Sequence, residues 1–568
     1  MIDPFNQLVI RNMTSHLKNF EADVIVVGSG AGGGAAAWRL AQRGFKVMVL
    51  DAGPVYAPTE DYQQATDNWE KPFPHKQSSV GTYEVAELQD IQHLEPQLRS
   101  WNKMKGFLVK GKRRANFGYH HVRGVGGSSL QFTGEAHRLN PLSMKMDSRY
   151  DEAADWPISY EDLEPFYQIA EELVGVAGPA SDARCPRSAS YPLPSHPYSY
   201  PALILEKAAI QAGHEPQPNS LAVLSKPYDN RSACNYCGGC QRGCMVMDKG
   251  TIDVTYLKHA ELSGRCQVFP QVEVLKVEAH NGRVSSVLAY HEGEVHRLFA
   301  KRIILAAGAV QTPRLLLNSS DTSHPRGLGN NSGLVGQNFM ETILTTASAI
   351  YPENLGSHRG LPVNWVSWKY NAPDSIPGVI GGCRFGPSMA ESDLVGPVAY
   401  ATRVISGWGL NHKAQMREHF GKVLSITSIG ESLPHKMSFI GLSDKLDTHG
   451  VPIPKIHSYL DKNATSRLRF MSAECKKILD AAGCESPFET FSSADAFSST
   501  HVFGTCRMGT DAETSVCDSY GAVHDTQNLF ICDASLFPST GGGEGPWLTI
   551  QALAIRSADQ IQRLSGHH

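Results

Sequence analysis

Two short apolar runs near the start of the chain predict buried parallel strands. Residues 23–27 read DVIVV, and residues 46–50 read KVMVL. Continuous apolar runs of this length are typical of strands that are covered on both faces. The run from Ala35 to Gln42 lies between them and predicts a helix. The pattern therefore predicts a strand–helix–strand unit at the amino-terminal end.

A glycine-rich turn joins the first predicted strand to the helix and fits the pattern G-x-G-x-x-G. Gly28 suits the tight turn, Gly30 lets the backbone approach a pyrophosphate, and Gly33 lets the helix pack closely on the strand. The start of the helix offers free N–H groups to phosphates. Asp51, at the end of the second strand, can accept hydrogen bonds from both hydroxyls of an adenosine ribose. The turn predicts a dinucleotide site for NAD or FAD; a glycine-rich turn in another α/β protein is the alternative.

A second helical pattern begins after Ser159. Ser159 and Asp162 have the spacing of a helix-capping motif. The apolar residues that follow recur at helical intervals: Leu163, Phe166, Tyr167, Ala170 and Leu173. This spacing predicts a helix that packs into the core rather than a binding site. Residues 54–75 and 185–201 are rich in Pro, Ser and Tyr and predict surface loops near the mouth of the active site.

The composition narrows the class of protein. The chain has 568 residues, too many for one compact core, so two structural regions are expected. A formal net charge of −4 gives no sign of a nucleic-acid partner, which would favour a basic surface. No apolar run reaches the roughly 18 residues of a membrane span. The amino-terminal segment also lacks the apolar stretch of a signal peptide.

Four of the twelve cysteines are packed into one short stretch, CNYCGGCQRGC. Cys234, Cys237, Cys240 and Cys244 have the spacing that bacterial ferredoxins use to ligate iron–sulfur clusters, although Met245 replaces the proline that usually follows. A 4Fe-4S cluster, or a 3Fe-4S cluster held by three thiols, is the first interpretation. A zinc site with four thiolate ligands and a structural loop with reduced or disulfide-linked cysteines stay open.

Seven further motifs resemble, in the same order, those of the glucose–methanol–choline (GMC) oxidoreductases. They are GVGGSS at 124–129 followed by Arg138, WPISYEDLEPFY at 156–167, IILAAGAVQTPRLLLN at 303–318, LVGQNFM at 334–340, HVFGTCRMG at 501–509, NLFICDASLFP at 528–538 and LTIQALAIRSAD at 548–559. The resemblance covers most of the chain and is weakest between residues 351 and 430. The family binds FAD, so the resemblance implies FAD rather than NAD in the dinucleotide site.

The resemblance implies an α/β fold of two interleaved regions. A Rossmann-like FAD-binding region would be interleaved with a substrate-binding region built on an antiparallel sheet with helices. The discontinuous FAD-binding region would comprise residues 1–55, 100–158, 231–345 and 499–568. The substrate-binding region and its loops would comprise residues 56–99, 159–230 and 346–498.

The resemblance also implies cofactor contacts in the second glycine segment. Four of its residues would lie along the flavin and the pyrophosphate: Gly126, Gly127, Ser128 and Ser129. For each glycine taken singly, turn geometry alone is the alternative. Some relatives tether FAD through a histidine shortly after this segment. Here the chain continues with Leu130, Gln131 and Phe132, so non-covalent FAD is expected.

Further implied contacts lie in the rest of the chain. Val274, within a predicted strand, would hold the adenine end of the cofactor. Ala307 and Gly308 would end a strand that returns to the nucleotide. Asp533 and Ala534 would meet the ribityl–phosphate region.

The expected chemistry is removal of a hydride and a hydroxyl proton from an alcohol. His501 stands first in H-x-x-G-T, where the family keeps its catalytic histidine, and an imidazole can accept a proton near neutral pH. The helix that begins near Pro546 would point its positive amino terminus at the flavin. The family usually places Asn or His just before this proline, where Gly545 stands here. The second catalytic group would come from Glu544 or from a residue elsewhere; a solvent-facing loop acid is the alternative for Glu544.

These expectations favour an FAD-dependent dehydrogenase that oxidises a secondary alcohol of a sugar or glycoside, with C3 of the ring as the expected position. The catalytic subunits of sugar and gluconate dehydrogenases in this family carry cysteines in the equivalent stretch, where they hold an iron–sulfur cluster. The resemblance implies that electrons leave through such a cluster to a haem subunit, a quinone or a soluble carrier. A small partner subunit could carry the export signal, so periplasmic and cytoplasmic locations stay open.

Three other functions are kept beside this one. Residues 249–257 also resemble long-chain alcohol oxidases, which would favour an oxidase that uses oxygen and keeps its cysteines as thiols. A flavin-containing lyase on the same fold would use FAD without redox chemistry. A non-catalytic flavin-binding subunit is the last possibility.

Overall fold

The strand–helix–strand unit predicted at the amino-terminal end is present. The computed structural model describes residue 17 and residues 20–62, 83–91, 114–388 and 397–566. The helix begins at Ala31, earlier than the predicted Ala35, because the glycines after the turn are part of it. A Cβ on Gly32 would lie 1.6 Å from the carbonyl oxygen of Cys532, and one on Gly33 would lie 1.9 Å from that of Gly28. Only glycines let this helix pack so closely on its neighbours.

A seven-stranded sheet forms the nucleotide-binding region. Its strands are β1 (Ala22–Val27), β2 (Val47–Leu50), β8 (Cys266–Phe269), β9 (Glu273–His280), β10 (Arg283–His291), β11 (Glu294–Leu305) and β22 (Leu529–Ile531). The strands β8, β2, β1, β11 and β22 pair in parallel, while β9, β10 and β11 form an antiparallel meander. The carboxyl ends of the parallel strands therefore share one edge.

A six-stranded sheet forms the second region, and every pair in it is antiparallel. Its strands are β7 (Pro216–Pro218), β13 (Ile343–Ile350), β14 (Trp365–Ser367), β15 (Cys383–Pro387), β16 (Val423–Gly430) and β19 (Glu489–Ser492). The expected combination of a Rossmann-like region with an antiparallel sheet is therefore confirmed. The predicted domain boundaries stay a prediction.

The remaining described strands form small sheets of two or three strands. They are β3 (Glu84–Val85), β4 (Ala115–Tyr119), β5 (Ala177–Gly178), β6 (Leu193–Pro194), β12 (Met340–Glu341), β17 (Phe439–Leu446), β18 (Pro452–His457), β20 (Ala496–Ser499) and β21 (Val502–Phe503). The pair β12–β21 is antiparallel and links the start of the second sheet to the segment after residue 499. Of the predicted surface loop over 54–75, residues 63–75 lie outside the described residues.

The described helices differ widely in length. They are α1 (Ala31–Gln42), α2 (Pro58–Asp61), α3 (Met146–Tyr150), α4 (Tyr160–Val174), α5 (Tyr200–Gln211), α6 (Lys258–Leu262), α7 (Gly308–Asn318), α8 (Pro397–Ala399), α9 (Gly409–His419), α10 (Lys462–Ala481) and α11 (Trp547–Leu564). Over these ranges, none combines the length and the apolar character that crossing a membrane requires. The predicted helix near Pro546 is α11.

Each large sheet has its own apolar core. In the nucleotide-binding region, α11 packs against both α1 and α4. The apolar residues predicted for α4 contribute to this core, with Leu163, Tyr167 and Ala170 fully buried. In the second region, α10 packs against β13, β16 and α5.

The register of the second sheet decides which side chains face the nucleotide-binding region. Cys383 is aligned with Gly430, and a Cβ on Gly430 would lie 2.9 Å from the sulfur of Met471 in α10. Arg384 is aligned with Ile429 in the next row. Because successive side chains on a strand point to opposite faces, Arg384 points away from α10.

The predicted capping motif of α4 gives a test of the helix boundary. The Ser159 hydroxyl accepts a hydrogen bond from the Asp162 N–H, and the Asp162 carboxylate accepts one from the Ser159 N–H. Ser159→Ala should lower the free energy of unfolding by about 1 kcal/mol, because a backbone N–H loses its partner. Denaturant titration measures this change. Ser285→Ala, at an exposed strand position, is the matched control, and equal effects would contradict the capping role.

Candidate active site

The two predicted glycine segments lie against each other at the carboxyl edge of β1. The Ser29 hydroxyl accepts a hydrogen bond from the Gly126 N–H at 3.0 Å and donates one to Asp51 Oδ2 at 2.5 Å. A Cβ on Gly127 would lie 2.8 Å from the Cα atom of Gly30. The glycines therefore let two backbone segments approach closely where a pyrophosphate is expected.

Asp51 is held by hydrogen bonds within the protein. Its Oδ2 accepts the Ser29 N–H at 3.0 Å in addition to the hydroxyl, and its Oδ1 accepts the Gly53 N–H at 2.8 Å. A carboxylate offers about four acceptor positions, so Oδ1 keeps one for a ribose hydroxyl. The Asp51 carbonyl accepts the Val272 N–H at 2.8 Å, which brings the strand of Val274 beside this site.

The predicted residues after β11 and β22 meet at the same edge of the sheet. Asp533 Oδ2 accepts hydrogen bonds from the Gly308 N–H at 2.9 Å and the Thr312 hydroxyl at 2.5 Å. Ala307 immediately precedes α7, and Ala534 begins the short helical turn that follows Asp533. The parallel pairing of β1, β11 and β22 therefore gathers three sequence-distant groups.

The second glycine segment uses one of its two serines internally. The Ser129 hydroxyl donates to the Gly126 carbonyl at 2.7 Å and accepts the Ile252 N–H at 3.0 Å. Ser128 is exposed, and its hydroxyl accepts the Val122 N–H at 3.2 Å. Ser129 therefore shapes the segment, whereas Ser128 faces outward.

Several buried polar atoms around this segment have no hydrogen-bond partner among the described residues. They are Gln131 Nε2, Asp253 Oδ1 and Trp547 Nε1. The helix α11 begins after Pro546 without a side-chain cap. Buried polar groups of proteins normally have partners, so these atoms and the glycine segments fit a large polar cofactor such as FAD.

His501 is held by its backbone and keeps its imidazole available. Its carbonyl accepts hydrogen bonds from the Thr342 N–H at 3.0 Å and the Ser499 hydroxyl at 2.8 Å. Among the described residues, no side chain makes a hydrogen bond to the ring. Burial lowers the pKa of His501 to about 4, even though the Glu135 charge opposes this change; the Arg384 charge acts in the same direction as burial. The imidazole is therefore neutral near pH 7 and able to accept a proton.

The charged groups that act on His501 form a buried ion pair. Arg384 Nη2 donates to Glu135 Oε2 at 2.6 Å, and Arg384 Nε donates to the Gly543 carbonyl at 2.7 Å. Burial tends to raise the pKa of Glu135, but the Arg384 charge and further partners bring it below its usual value. Glu135 is therefore a carboxylate at neutral pH.

His137 joins this ion pair to the loop before α11. Its Nδ1 accepts the Gly545 N–H at 3.0 Å, so the ring proton lies on Nε2, which donates to Asn219 Oδ1 at 2.8 Å. The Asn219 amide in turn donates to Glu135 Oε1 at 2.9 Å. Burial lowers the pKa of His137 to about 4. Both ring nitrogens of His137 are therefore occupied.

Glu544 is buried, not solvent-facing, and its carboxylate makes a different set of contacts. Its Oε1 accepts hydrogen bonds from Arg184 at 2.6 Å, from the Asn371 amide at 2.9 Å and from the Asn140 N–H at 3.2 Å. The role of Glu544 as second catalytic group stays a prediction. In this structure the three hydrogen bonds to its Oε1 fix the loop before α11 against Arg184, Asn371 and Asn140.

The four clustered cysteines are free thiols and do not form a metal-binding group within the described ranges. None forms a disulfide, and no group of three or more His, Cys, Asp or Glu side chains in the described ranges could hold a metal ion. The Cys244 thiol donates to Asp248 at 3.0 Å, and burial raises the pKa of Cys240 and Cys244 to about 12. The arrangement therefore does not fit a metal centre, and the iron–sulfur cluster stays a prediction.

The buried Lys249 links the cysteine loop, residues 234–244, to the residues that follow the second glycine segment. Lys249 Nζ donates to the carbonyls of Cys240 at 2.6 Å, Phe132 at 3.0 Å and Leu130 at 3.1 Å. The cysteine loop is therefore anchored directly behind the second glycine segment.

Comparisons with protein families agree with this architecture. Two sequence models described as GMC oxidoreductase match residues 205–343 and 434–554, and one described as an NAD(P)-binding Rossmann-like domain matches residues 26–63. The fold and the site define a nucleotide-dependent oxidoreductase. The chain belongs to the GMC oxidoreductase family, and both this membership and the Rossmann-like region support FAD as its cofactor.

Several curated relatives are similar over nearly the whole chain. The 2-methyl-1,2-propanediol dehydrogenase of Mycolicibacterium austroafricanum is 28% identical, covering 96% of this chain and 95% of the relative. The fructose dehydrogenase large subunit of Gluconobacter japonicus is 27% identical, with 96% and 98% covered. The 6'''-hydroxyparomomycin C oxidase of Streptomyces lividus is 28% identical, with 95% and 91% covered.

Solved structures share the fold at lower sequence identity. Pyridoxine 4-oxidase from Mesorbium loti superposes with a TM-score of 0.59 at 17% identity, covering 96% of this chain and 99% of that one. An arginine-to-lysine variant of formate oxidase from Aspergillus oryzae RIB40 gives 0.63 at 14% identity, with 96% and 98% covered.

Sequence reasoning missed Glu135 and Arg384. Glu135 stands in GEAHR, where three titratable side chains follow the second glycine segment within a few residues, and this crowding was the available signal. Arg384 lies in the stretch of weakest resemblance. Its only signal is an arginine inside the short run CRFGP, which gives no indication of its partner.

The carboxyl of Glu431 gives a pH-dependent test of how the glycine loop before α11 is packed. Glu431 is buried and accepts the Gly541 N–H at 3.1 Å; burial, with the Glu544 charge, raises its pKa from 4.5 to about 7. Because the folded pKa exceeds the unfolded one, this group's contribution is greatest below about pH 4.5. It is lost as the pH rises to about 7, which lowers the free energy of unfolding by about 3 kcal/mol.

Glu431→Gln should remove this decline. Denaturant titrations at pH 5 and pH 8 measure it, with Glu418→Gln, an exposed position on α9, as the matched control. An unchanged difference between the two pH values in Glu431→Gln would show that Glu431 does not titrate in this range.

Proposed function

We propose that this protein is an FAD-dependent dehydrogenase that oxidises a secondary alcohol of a sugar or glycoside, with C3 of the ring as the candidate position. The observation that carries the proposal is the His501 imidazole, whose ring nitrogens make no hydrogen bond to any described residue. When bound, FAD supplies the hydride acceptor. Alcohol oxidation additionally needs a base for the hydroxyl proton, and His501 is suited to that role.

The residues that would hold FAD follow from the site. Gly28, Gly30 and Gly126 would face the pyrophosphate, and Asp51 would accept a ribose hydroxyl through Oδ1. The uncapped start of α11 at Pro546 would carry a positive end toward the flavin. Some relatives tether FAD through a histidine shortly after the second glycine segment. This chain has Leu130, Gln131 and Phe132 there, so the cofactor would be non-covalent.

The substrate class is supported by the names of relatives. One is a fructose dehydrogenase subunit and one a gluconate 2-dehydrogenase flavoprotein, from Pantoea cypripedii at 25% identity. The relative named 2-methyl-1,2-propanediol dehydrogenase, at 28% identity, acts by its name on a diol that is not a sugar. A polyol that carries a secondary hydroxyl is common to the first two.

An oxygen-using oxidase is the second candidate. The 6'''-hydroxyparomomycin C oxidase and a paromamine 6'-oxidase from Streptomyces fradiae, at 26% identity, favour it by name. Hydrogen peroxide formed in step with product would identify an oxidase.

The path of electrons out of the protein rests on the cysteine loop. The spacing of Cys234, Cys237, Cys240 and Cys244 supports an iron–sulfur cluster, and the name of the fructose dehydrogenase large subunit supports a partner subunit. The described residues contain no group of side chains that could hold a metal ion, so the arrangement of the thiols does not support the cluster. No electron-transfer step is therefore assigned to this loop. The iron content of the purified protein would decide whether a path through a cluster to a haem or quinone acceptor is supported.

The role of His501 predicts a large loss of rate on substitution. Fructose, gluconate, methyl glucosides and 2-methyl-1,2-propanediol are mixed anaerobically with the holoenzyme, and bleaching of the flavin is followed by stopped flow. His501→Ala should slow flavin reduction by roughly 10²–10⁴-fold with FAD still bound, because the proton acceptor is lost.

His280→Ala, at an exposed position in β9, is the matched control and should reduce at the normal rate. A near-normal rate in His501→Ala would overturn the assigned role. Failure of every alcohol to bleach the flavin would favour a lyase or a non-catalytic subunit.

Metal content decides between the two interpretations of the cysteine loop. The protein is purified without oxygen and precipitated with acid, and iron, acid-labile sulfide and released flavin are quantified. The cluster predicts about three to four irons with matching sulfide per flavin. Cys240→Ser should lower both. Flavin without iron would place the oxidase first, and flavin retained in the precipitate would contradict non-covalent binding.

A further inference from the structure

A fully buried lysine lies behind the second glycine segment and takes no part in the chemistry described so far. Lys249 is buried over its whole length. Its Nζ donates hydrogen bonds to the carbonyls of Cys240 at 2.6 Å, Phe132 at 3.0 Å and Leu130 at 3.1 Å. Lysine is almost never fully buried in a protein unless its charge is matched by partners. The place of this side chain in the fold therefore indicates a function for its charge.

The hydrogen bonds of Lys249 indicate that it is an ammonium. A protonated lysine has three N–H donors, and each of the three carbonyls accepts one. A neutral amine has two hydrogens, so one buried carbonyl would lose its donor. Burial lowers the pKa of Lys249, and four neighbouring acidic groups oppose this change: Cys240, Cys244, Asp253 and Asp248. Because its three hydrogen-bond acceptors are carbonyl oxygens without formal charge, the side chain keeps a positive charge.

Backbone contacts place the ammonium beside the wall of the cofactor site. Leu130 ends the helical turn Gly127–Leu130 of the second glycine segment. The carbonyls of Leu130 and Phe132 flank Gln131, whose buried Nε2 has no hydrogen-bond partner among the described residues. That atom is one of the three buried polar atoms that fit FAD. Lys249 therefore holds the backbone on both sides of a group that the cofactor would satisfy.

An aromatic contact joins Lys249 to the start of α11. Its Nζ lies 5.2 Å from the centroid of the Phe132 ring, and that centroid lies 4.8 Å from the centroid of the Trp547 ring. Trp547 is the first residue of α11, and its buried Nε1 is another of the polar atoms that fit FAD. A single aromatic ring therefore separates the ammonium from the first residue of the helix that would face the flavin.

We propose that the Lys249 ammonium is a fixed positive charge that stabilises the reduced, negatively charged form of the cofactor and so raises its reduction potential. This inference rests on the FAD site of the proposed function and adds a residue to it. Lys249 does not touch the reacting atoms. It is a positioning residue that acts through its charge and through its hold on the second glycine segment.

The direction of the effect follows from the charge balance of the reaction. A hydride carries two electrons and one proton from the alcohol carbon, so the cofactor gains one negative charge while the alcohol is oxidised by two electrons. The attraction between this charge and a buried cation is stronger than in water, because the surroundings have a low dielectric constant. Lys249 is already held by three hydrogen bonds, so its charge needs no reorganisation when the cofactor is reduced.

The other charged groups near Lys249 have different surroundings. Asp248 accepts a hydrogen bond from a thiol of the cysteine loop at 3.0 Å, and Arg231 donates one to a carbonyl of α4 at 2.6 Å. Asp253 lies beside the second glycine segment, since a Cβ on Gly126 would lie 3.4 Å from the Asp253 Cβ. Burial raises the pKa of Asp253, which weakens its opposition to the lysine charge. Lys249 is thus the cation among these groups that is bonded directly to the second glycine segment.

The test measures the midpoint reduction potential of the bound flavin, which a purely structural role would not move. The holoenzyme is reduced stepwise without oxygen in the presence of dyes of known potential, and the flavin spectrum is recorded at each step. Lys249→Met and Lys249→Gln remove the charge. Each should weaken the preference for reduced over oxidised flavin about tenfold or more, which lowers the two-electron potential by about 30 mV or more. Lys249→Arg keeps the charge and should restore most of the potential.

Two further measurements keep the result interpretable. Lys413→Met, at an exposed position on α9, is the matched control and should leave the potential unchanged. Lys249→Gln keeps two N–H donors for the carbonyls, so it serves where Lys249→Met does not fold. For a variant that holds flavin weakly, the dissociation constants of oxidised and reduced FAD are measured instead, because their ratio sets the shift in potential.

The outcomes separate the inference from the proposed function. Equal potentials in wild type and a neutral variant would overturn the inference and leave the proposed function intact. A potential in Lys249→Arg as low as in Lys249→Gln would also overturn it, because the charge would not be the cause. Failure of every alcohol to reduce the wild-type flavin would instead overturn the proposed function, and wild-type protein that binds no flavin would overturn both.

Discussion

The structure depends on backbone segments that meet at the carboxyl edge of the parallel strands without room for side chains. A Cβ on Gly28 would lie 2.5 Å from the Ala306 carbonyl, and one on Gly32 would lie 1.6 Å from that of Cys532. These contacts join the strands β1, β11 and β22, which are hundreds of residues apart in the chain. Because the backbones are so close, their N–H groups and Asp533 lie at one edge of the sheet, where a single nucleotide is expected to bind. Glycine at these positions is what lets the segments meet there.

Buried charge organises the other side of the site. Two buried ion pairs hold the loop before α11 in place. Arg384, paired with Glu135, donates a hydrogen bond to the Gly543 carbonyl of the loop, and Arg184 pairs with Glu544 of the loop itself. Buried ion pairs rarely add net stability, but leaving one partner alone is costly. Each pair therefore fixes a loop geometry rather than strengthening the fold in general. The same arrangement leaves His501 in a polar, low-dielectric setting with its ring available.

The two regions differ in how far their sequence predicts them. In the nucleotide-binding region, the apolar strands, the glycine turn and the α4 cap are local patterns, and the structure contains each of them. The predicted start of α1 was wrong because glycines usually weaken helices, whereas here tertiary contacts hold Gly32 and Gly33 in one. The second sheet was expected only from resemblance. The cysteine spacing predicted an iron–sulfur cluster, and this stays a prediction, since spacing fixes reach along the chain and not the direction of each thiol.

The sequence alone determined the family, the cofactor class and the candidate base, because a strand, a glycine turn and a histidine motif are short and specific. Only the tertiary structure decided which buried charges hold the loop before α11. Glu135 and Arg384 are separated by 249 residues, and no local pattern links them. The pairing register of β15 with β16 and the approach of Gly545 to Glu135 bring them together. Long-range pairing is set by the packing of two whole sheets, and that information is spread over the chain rather than held in any one motif.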